Sequence, residues 1–252
     1  MFKAASRTLR IHKFGRKEAN DHIFVVTGIG KANRHEEVGS PFTVPNEYIC
    51  AMLANLIGLT VPPFCVTRYE GRWYFVSMLI DEPPLKAVDP SEIVKLDGGD
   101  IASGILVFDI FIANNDRKEK DLWLDPHIGE VVIFDHSHAL LGYERGVSER
   151  LRLLENELGI LGDGKCPDHC LLEHIETDAF FPKWIERIKS LRPDIIDEIV
   201  EEGCRYANSE DHPLSSNDIE NLKSFLKRRK GRIEELIKRH KDKFKRMQWS
   251  SL

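Results

Sequence analysis

The sequence predicts an α+β fold in two lobes, a small mixed α/β lobe over residues 1–81 and a mostly helical lobe over residues 82–252. Three observations predict it. Short β-type runs crowd the first part of the chain around a single helical pattern, the pair Pro83-Pro84 breaks the chain, and 3.6-residue periodicity dominates the remainder.

In chain order, Ile23-Phe24-Val25-Val26-Thr27 reads as a strand that Gly28-Ile29-Gly30-Lys31 breaks. A helix is expected from Asn46, with Tyr48, Met52, Leu53, Leu56 and Ile57 at spacings of three and four, and Gly58 is its C-terminal stop. Val61 to Thr67 and Trp73 to Ile80 form two further strands around Glu70-Gly71-Arg72. After the prolines, the nearly continuous apolar run Ile101 to Ala113 predicts a buried helix that delivers Asn114 and Asn115 to a loop at Asp116. Leu122-Trp123-Leu124, the turn-like stretch Asp125 to Gly129 and Val131 to Phe134 predict a β-hairpin. Helices are then expected over Glu149 to Leu158, Asp168 to Ile175, Ala179 to Leu191, Asp194 to Tyr206 and Asn217 past Phe244. The last carries the apolar stripe Ile219, Leu222, Phe225, Leu226, Ile233, Leu236 and Ile237.

Composition narrows the partners. With 252 residues and 42% hydrophobic content the chain can bury a substantial core. Its 36 Lys and Arg against 41 Asp and Glu give a net charge of -5, which offers no general affinity for nucleic acid or anionic lipid. No run of about 18 apolar residues is present. The start, Met1 to Arg7, leads into polar sequence, so a cytoplasmic protein is expected. The five cysteines form no paired framework, which fits a reducing compartment. Cys166 and Cys170, with His169 and His174, invite a zinc reading. Structural zinc needs four ligands, usually in two close pairs, and incidental thiols at a helix start explain the segment more simply.

The chemistry concentrates between Phe108 and Gly142. In an antiparallel hairpin the residue entering the first strand lies beside the one leaving the second, so Asp121 and Asp135 should meet at one end. Two carboxylates so placed repel unless a cation lies between them, and Mg²⁺ with oxygen ligands and water suits the position. Asp116, one short loop away, stands where a residue that orients or deprotonates an attacking hydroxyl belongs. The pattern implies metal-assisted phosphoryl transfer.

The stretches Phe108 to Arg117, Asp121 to Leu124 and Val132 to His138, with Asn46-Glu47-Tyr48, Leu53-Ala54, Leu56 to Leu59 and Val61-Pro62 upstream, resemble the HipA-like kinases. The resemblance runs in the family's order from about Ile23 to Gly142. It implies a protein-kinase-like two-lobed fold, distantly related to phosphatidylinositol kinases, and an enzyme that uses ATP and Mg²⁺ to phosphorylate a hydroxyl, in this family a protein serine or threonine. By the resemblance Asp116 is the catalytic aspartate, Asp121 occupies a metal position that is usually asparagine, and Asp135 chelates the metal bridging the ATP phosphates. Glu47 is the small-lobe acid that pairs with a nucleotide-binding lysine, and Met78, Leu79 and Ile80 form the strap that meets adenine. Thr27 stands where that lysine is expected, and Lys31, four residues on, is the cation able to reach in from the loop.

The acceptor is left open. Two other readings stand beside the kinase: a catalytically weak nucleotide-binding pseudokinase serving as a regulatory module, motivated by Thr27, and a metal-dependent phosphohydrolase using Asp135, His136 and His138.

Overall fold

The computed structural model describes residues 7–11, 26–33, 40–78, 86–125, 129–142, 146–162, 167–207 and 214–252. Strands β1 (Arg7–Ile11), β2 (Val26–Ala32), β3 (Phe64–Tyr69) and β4 (Arg72–Met78) form an antiparallel sheet in the order β1-β2-β4-β3, with helix α1 (Thr43–Leu56) between β2 and β3. The β3–β4 turn places Glu70 and Gly71 at φ 47° and 80°, the doubly left-handed turn whose twist matches its strands.

The expected break at Gly28-Ile29-Gly30-Lys31 is corrected: β2 runs through these residues to Ala32. The glycine serves close strand approach here, since a Cβ at Gly28 would lie 2.6 Å from Val76 Cγ1 and 2.9 Å from Ser77 O. Helix α1 starts three residues before Asn46 and ends at Leu56, with Gly58 left-handed at φ 81° beyond it.

The rest of the chain comprises β5 (Lys86–Ala87), α2 (Pro90–Leu96), α3 (Asp100–Ile112), β6 (Leu122–Asp125), β7 (Glu130–Ile133), α4 (Val147–Leu154), α5 (Phe181–Lys189), α6 (Pro193–Arg205) and α7 (Ser216–Arg239). Helix α2 carries no clear periodicity, but Asp89 caps it by accepting from Ser91 N at 2.8 Å, and Pro90 opens its first turn. The segment from Asp168 to Ile175 is a series of turns rather than the expected helix. Its amides bond elsewhere: His169 N donates to Ile160 O at 3.0 Å and Cys170 N to Arg117 O at 3.2 Å.

Helix α4 stops at Leu154, short of the expected Leu158. The buried Arg229 of α7 takes the carbonyls of Leu154, Glu157 and Leu158 at 2.6, 2.8 and 2.6 Å, which unwinds that end. Helix α7 ends at Arg239, and the chain turns so that Phe244 and Trp249 pack on Phe181, with ring centroids 6.2 and 6.3 Å away.

Helix α3 is the spine, with Ala102 to Ile112 buried. One apolar core joins α1 to α3, α5, α6 and α7. Gly203 of α6 lets α1 come close: a Cβ there would lie 2.5 Å from Ile49 Cγ1 and 3.2 Å from Tyr48 Cδ1. The boundary expected at residues 81 and 82, like Leu79, Ile80, Pro83 and Pro84, lies outside the described residues. Among the described residues no helix is long and apolar enough to cross a membrane.

Candidate active site

The β6–β7 hairpin pairs Leu122 with Ile133 and Asp125 with Glu130, and Phe134 N donates to Asp121 O at 3.4 Å. Asp121 therefore enters β6 from a 3₁₀ turn, Glu119–Asp121, beside the point where the chain leaves β7 toward Asp135. Asp121 is nearly buried and accepts from Lys118 N at 3.0 Å. Burial, then the charge of Asp135, pushes its carboxyl up to about 6. Asp135 adopts φ 64°, a left-handed conformation uncommon outside glycine, and accepts from Ser137 Oγ at 2.8 Å.

Lys31 reaches this hairpin from β2. Its Nζ lies 2.6 Å from Glu47 Oε1 and 2.9 Å from Asp135 Oδ1. Burial alone would lower the lysine's pKa and raise those of both carboxyls. The mutual charges prevail, so Lys31 is held above its usual value and Glu47 and Asp135 below theirs. Glu47, just past the first turn of α1, accepts with its second oxygen from His136 N at 3.1 Å. The cation is thus part of a strand and already paired with Glu47. Thr27 lies in the same strand opposite Arg10 of β1.

Asp116 sits on the loop after α3, where Ala113 ends the helix at φ 52°. Its carboxylate is 14% exposed, with Lys118 Nζ at 2.7 Å and His138 Nε2 at 3.9 Å. Burial holds the His138 ring below its usual pKa, favouring the neutral imidazole.

Beneath this loop lies a network to which the sequence reading gave no role. Asp109 of α3 is fully buried and accepts from Arg117 Nε at 2.8 Å, Arg117 Nη2 at 3.0 Å and Asn114 Nδ2 at 3.0 Å. Arg117 also donates to Phe134 O, tying the Asp116 loop to the hairpin. His169 Nδ1 accepts from Leu171 N at 3.1 Å, so its proton is on Nε2, which donates to Asp109 Oδ2 at 2.8 Å. Burial keeps this histidine below its usual pKa and neutral. The one available signal was an aspartate inside an otherwise apolar helix, eight residues before an arginine.

His169 is therefore committed to Asp109, Cys166 lies outside the described residues, and burial pushes the Cys170 thiol up to about 12, away from the thiolate that zinc requires. His136 is buried with Nδ1 3.5 Å from Glu47 Oε2, and burial lowers its pKa. Among the described residues no three His, Cys, Asp or Glu side chains gather as a metal cage, so Asp135, His136 and His138 do not form the three-ligand set of the phosphohydrolase reading. Asp121 and Asp135 remain as a two-carboxylate oxygen donor set. Burial first and the charge of Asp135 second disfavour a bare carboxylate at Asp121, which suits a hard cation that takes its other ligands from phosphate and water. Met78, at the end of β4, spends its N–H on Pro63 O at 2.7 Å, and Leu79 and Ile80 lie outside the described residues.

No protein-family model matches the sequence, and a comparison with curated proteins gives no match. The likeness is in three dimensions. The crystal structure of the Helicobacter pylori proinflammatory kinase CtkA matches with a TM-score of 0.55 over 94% of this chain and 97% of its own, at 13% identity. The chain shares the fold of that kinase. HipA of Shewanella oneidensis MR-1, from a complex of that toxin–antitoxin system with HipB and operator DNA, matches at a TM-score of 0.46 and 14% identity, over 94% of this chain and 66% of its own. At such identities the CtkA match establishes the kinase-like fold, and the site's chemistry rests on the distances above.

Proposed function

We propose that this chain is an ATP- and Mg²⁺-dependent kinase that phosphorylates a hydroxyl, with serine or threonine of a protein as the acceptor class. The observation that carries the reading is Lys31 Nζ held at 2.6 Å from Glu47 and 2.9 Å from Asp135. A lysine fixed by a buried acid at the mouth of a two-carboxylate site is what holding a nucleotide's phosphates requires. In this reading Lys31 supplies the cation expected at Thr27. Asp135 and Asp121 hold the metal, which when bound neutralises charge on the transferring phosphoryl group. Asp116 accepts or orients the acceptor's proton. Met78 is the described residue of the strap that meets adenine. The net charge of -5 supports a protein or small-molecule acceptor over nucleic acid or a membrane surface, and the free thiols of Cys50, Cys65, Cys170 and Cys204 among the described residues support the cytoplasm.

The test is nucleotide binding and transfer measured side by side. ATP with Mg²⁺ is expected to raise the melting temperature of both wild type and Asp116→Asn, while phosphotransfer falls about 10²- to 10⁴-fold in the variant. Full transfer by Asp116→Asn, or no stabilisation of wild type, overturns the reading. Stabilisation without transfer to any acceptor, including the chain itself, turns it to the pseudokinase.

A further inference from the structure

Asp135 sits at φ 64°, a left-handed conformation that most L-residues avoid and aspartate tolerates, so the contacts of the loop that follows decide where its carboxylate stands. The loop after it, residues 136–142, is pinned from three sides. Leu140 N donates to Ile112 O at 3.1 Å at the end of α3, and Arg150 of α4 donates to Leu140 O and His138 O at 2.9 and 3.1 Å. The third side is α1 with Ser40 just before it. Asn46 Nδ2 donates to Ser137 O at 2.9 Å, Asn46 Oδ1 accepts from Leu141 N at 3.2 Å, Glu47 accepts from His136 N, and Ser40 Oγ donates to Gly142 O.

We propose that Asn46 is a positioning residue that locks the Asp135 loop to helix α1, so that the Lys31–Glu47 pair and the metal carboxylate form one preassembled unit. Asn46 is fully buried, and its amide spends a donor and an acceptor on two points of the same loop, two and six residues after Asp135. Its orientation is fixed by its partners, because a carbonyl only accepts and a backbone amide only donates. Aspartate could not donate to Ser137 O and would add a third negative charge beside Glu47 and Asp135. A leucine would leave both loop groups unpaired in the interior.

The anchor is rigid. Gly203 seats Ile49 and Tyr48 of α1 against α6, Tyr48 meets Tyr206 with ring centroids 5.3 Å apart, and Asn33 after β2 donates to Tyr206 O at 2.9 Å while accepting from Val44 N at 2.9 Å. The helix carrying the acid that orients Lys31 is therefore fastened to the helical part of the fold before any nucleotide arrives.

The metal part of this inference rests on reading Asp135 as a metal ligand, and the test separates the two. Hydrogen exchange on protein free of metal and nucleotide reads the lock directly. In Asn46→Ala the amides of His136 and Leu141 are expected to exchange at least about tenfold faster, while Asn114 and Cys170, on the Asp109 network, stay as protected as in wild type. In Asn46→Asp, which keeps the acceptor for Leu141 N and loses the donor to Ser137 O, His136 alone should lose protection. Unchanged protection of His136 in both variants overturns the proposal.

A second readout is Mn²⁺ binding to the ADP complex by electron paramagnetic resonance. Asn46→Ala should weaken the metal about tenfold to hundredfold, with affinity for metal-free ADP unchanged. An equal loss of both affinities assigns Asn46 a merely structural role. If wild type itself binds no Mn²⁺ with ADP, the metal reading of Asp135 fails, and the exchange result still decides the lock.

Discussion

Two carboxylates of this chain, Asp109 and Asp135, are each held ionised by a long cationic side chain, yet their surroundings differ. Asp109 and Arg117 have no exposed surface, while the side chains of Asp135 and Lys31 are 27% and 28% exposed. Arginine grips Asp109 with two nitrogens in a fixed plane, His169 and Asn114 complete its shell, and nothing is left over for a ligand. Lysine touches Asp135 with one mobile ammonium and shares it with Glu47, an arrangement that a metal and phosphates can enter and reorganise. The sealed network shapes the loop that carries Asp116. In the proposed reading the open one exchanges partners when nucleotide and metal bind.

The sharpest way to break this contrast is to remove the cation from each network. Arg117→Ala leaves Asp109 charged and unpaired in the interior, and denaturant unfolding should show a loss of about 3–5 kcal/mol. Lys31→Ala should cost less, about 1–3 kcal/mol, because water reaches Asp135 although Glu47 stays buried. Its larger effect should be a roughly tenfold to hundredfold rise in the ATP concentration required, the worth of one charged phosphate contact. Equal stability losses, or an unchanged ATP requirement, would erase the distinction between a structural and a functional pair.

The smallest expected effect is a pH dependence, and its sign differs between the sites. Asp109 is held below the ordinary carboxylate range: burial would raise it, but Arg117 and His169 outweigh that cost. Its stabilisation is complete above the unfolded value near 4 and is lost as pH falls below it. Asp121 behaves oppositely. Its carboxyl, pushed up to about 6 by burial and Asp135, keeps its proton longer folded than unfolded, so metal-free protein gains stability as pH drops from about 7 to about 4.5. Unfolding curves of wild type and Asp121→Asn in chelator should diverge over that window, wild type gaining relative to the variant. Mg²⁺ affinity should weaken as pH falls through about 6, since the proton competes for the same oxygens. Parallel curves would mean that Asp121 ionises normally.

Local pattern made α1, α3, β3, β4 and the β6–β7 hairpin legible, including the approach of the Asp121 and Asp135 backbones at its open end. The misreadings have local causes as well. Glycines at 28 and 30 carry the composition of a turn but occupy a strand, because only the partner strand reveals that Val76 and Ser77 press against Gly28. The turns at 168–175 look helical until the outside carbonyls that take their amides are known.

By itself the sequence determined the order of elements, the two carboxylates at one hairpin end and a third on the loop before it, since all of these follow from contacts between near neighbours in the chain. Tertiary structure alone decided which cation meets which acid. Lys31 finds Glu47 across 16 residues, His169 finds Asp109 across 60, and the amide of His136 finds Glu47 across 89. Such pairings depend on how packed elements close on one another, and no periodicity along the chain encodes that closure.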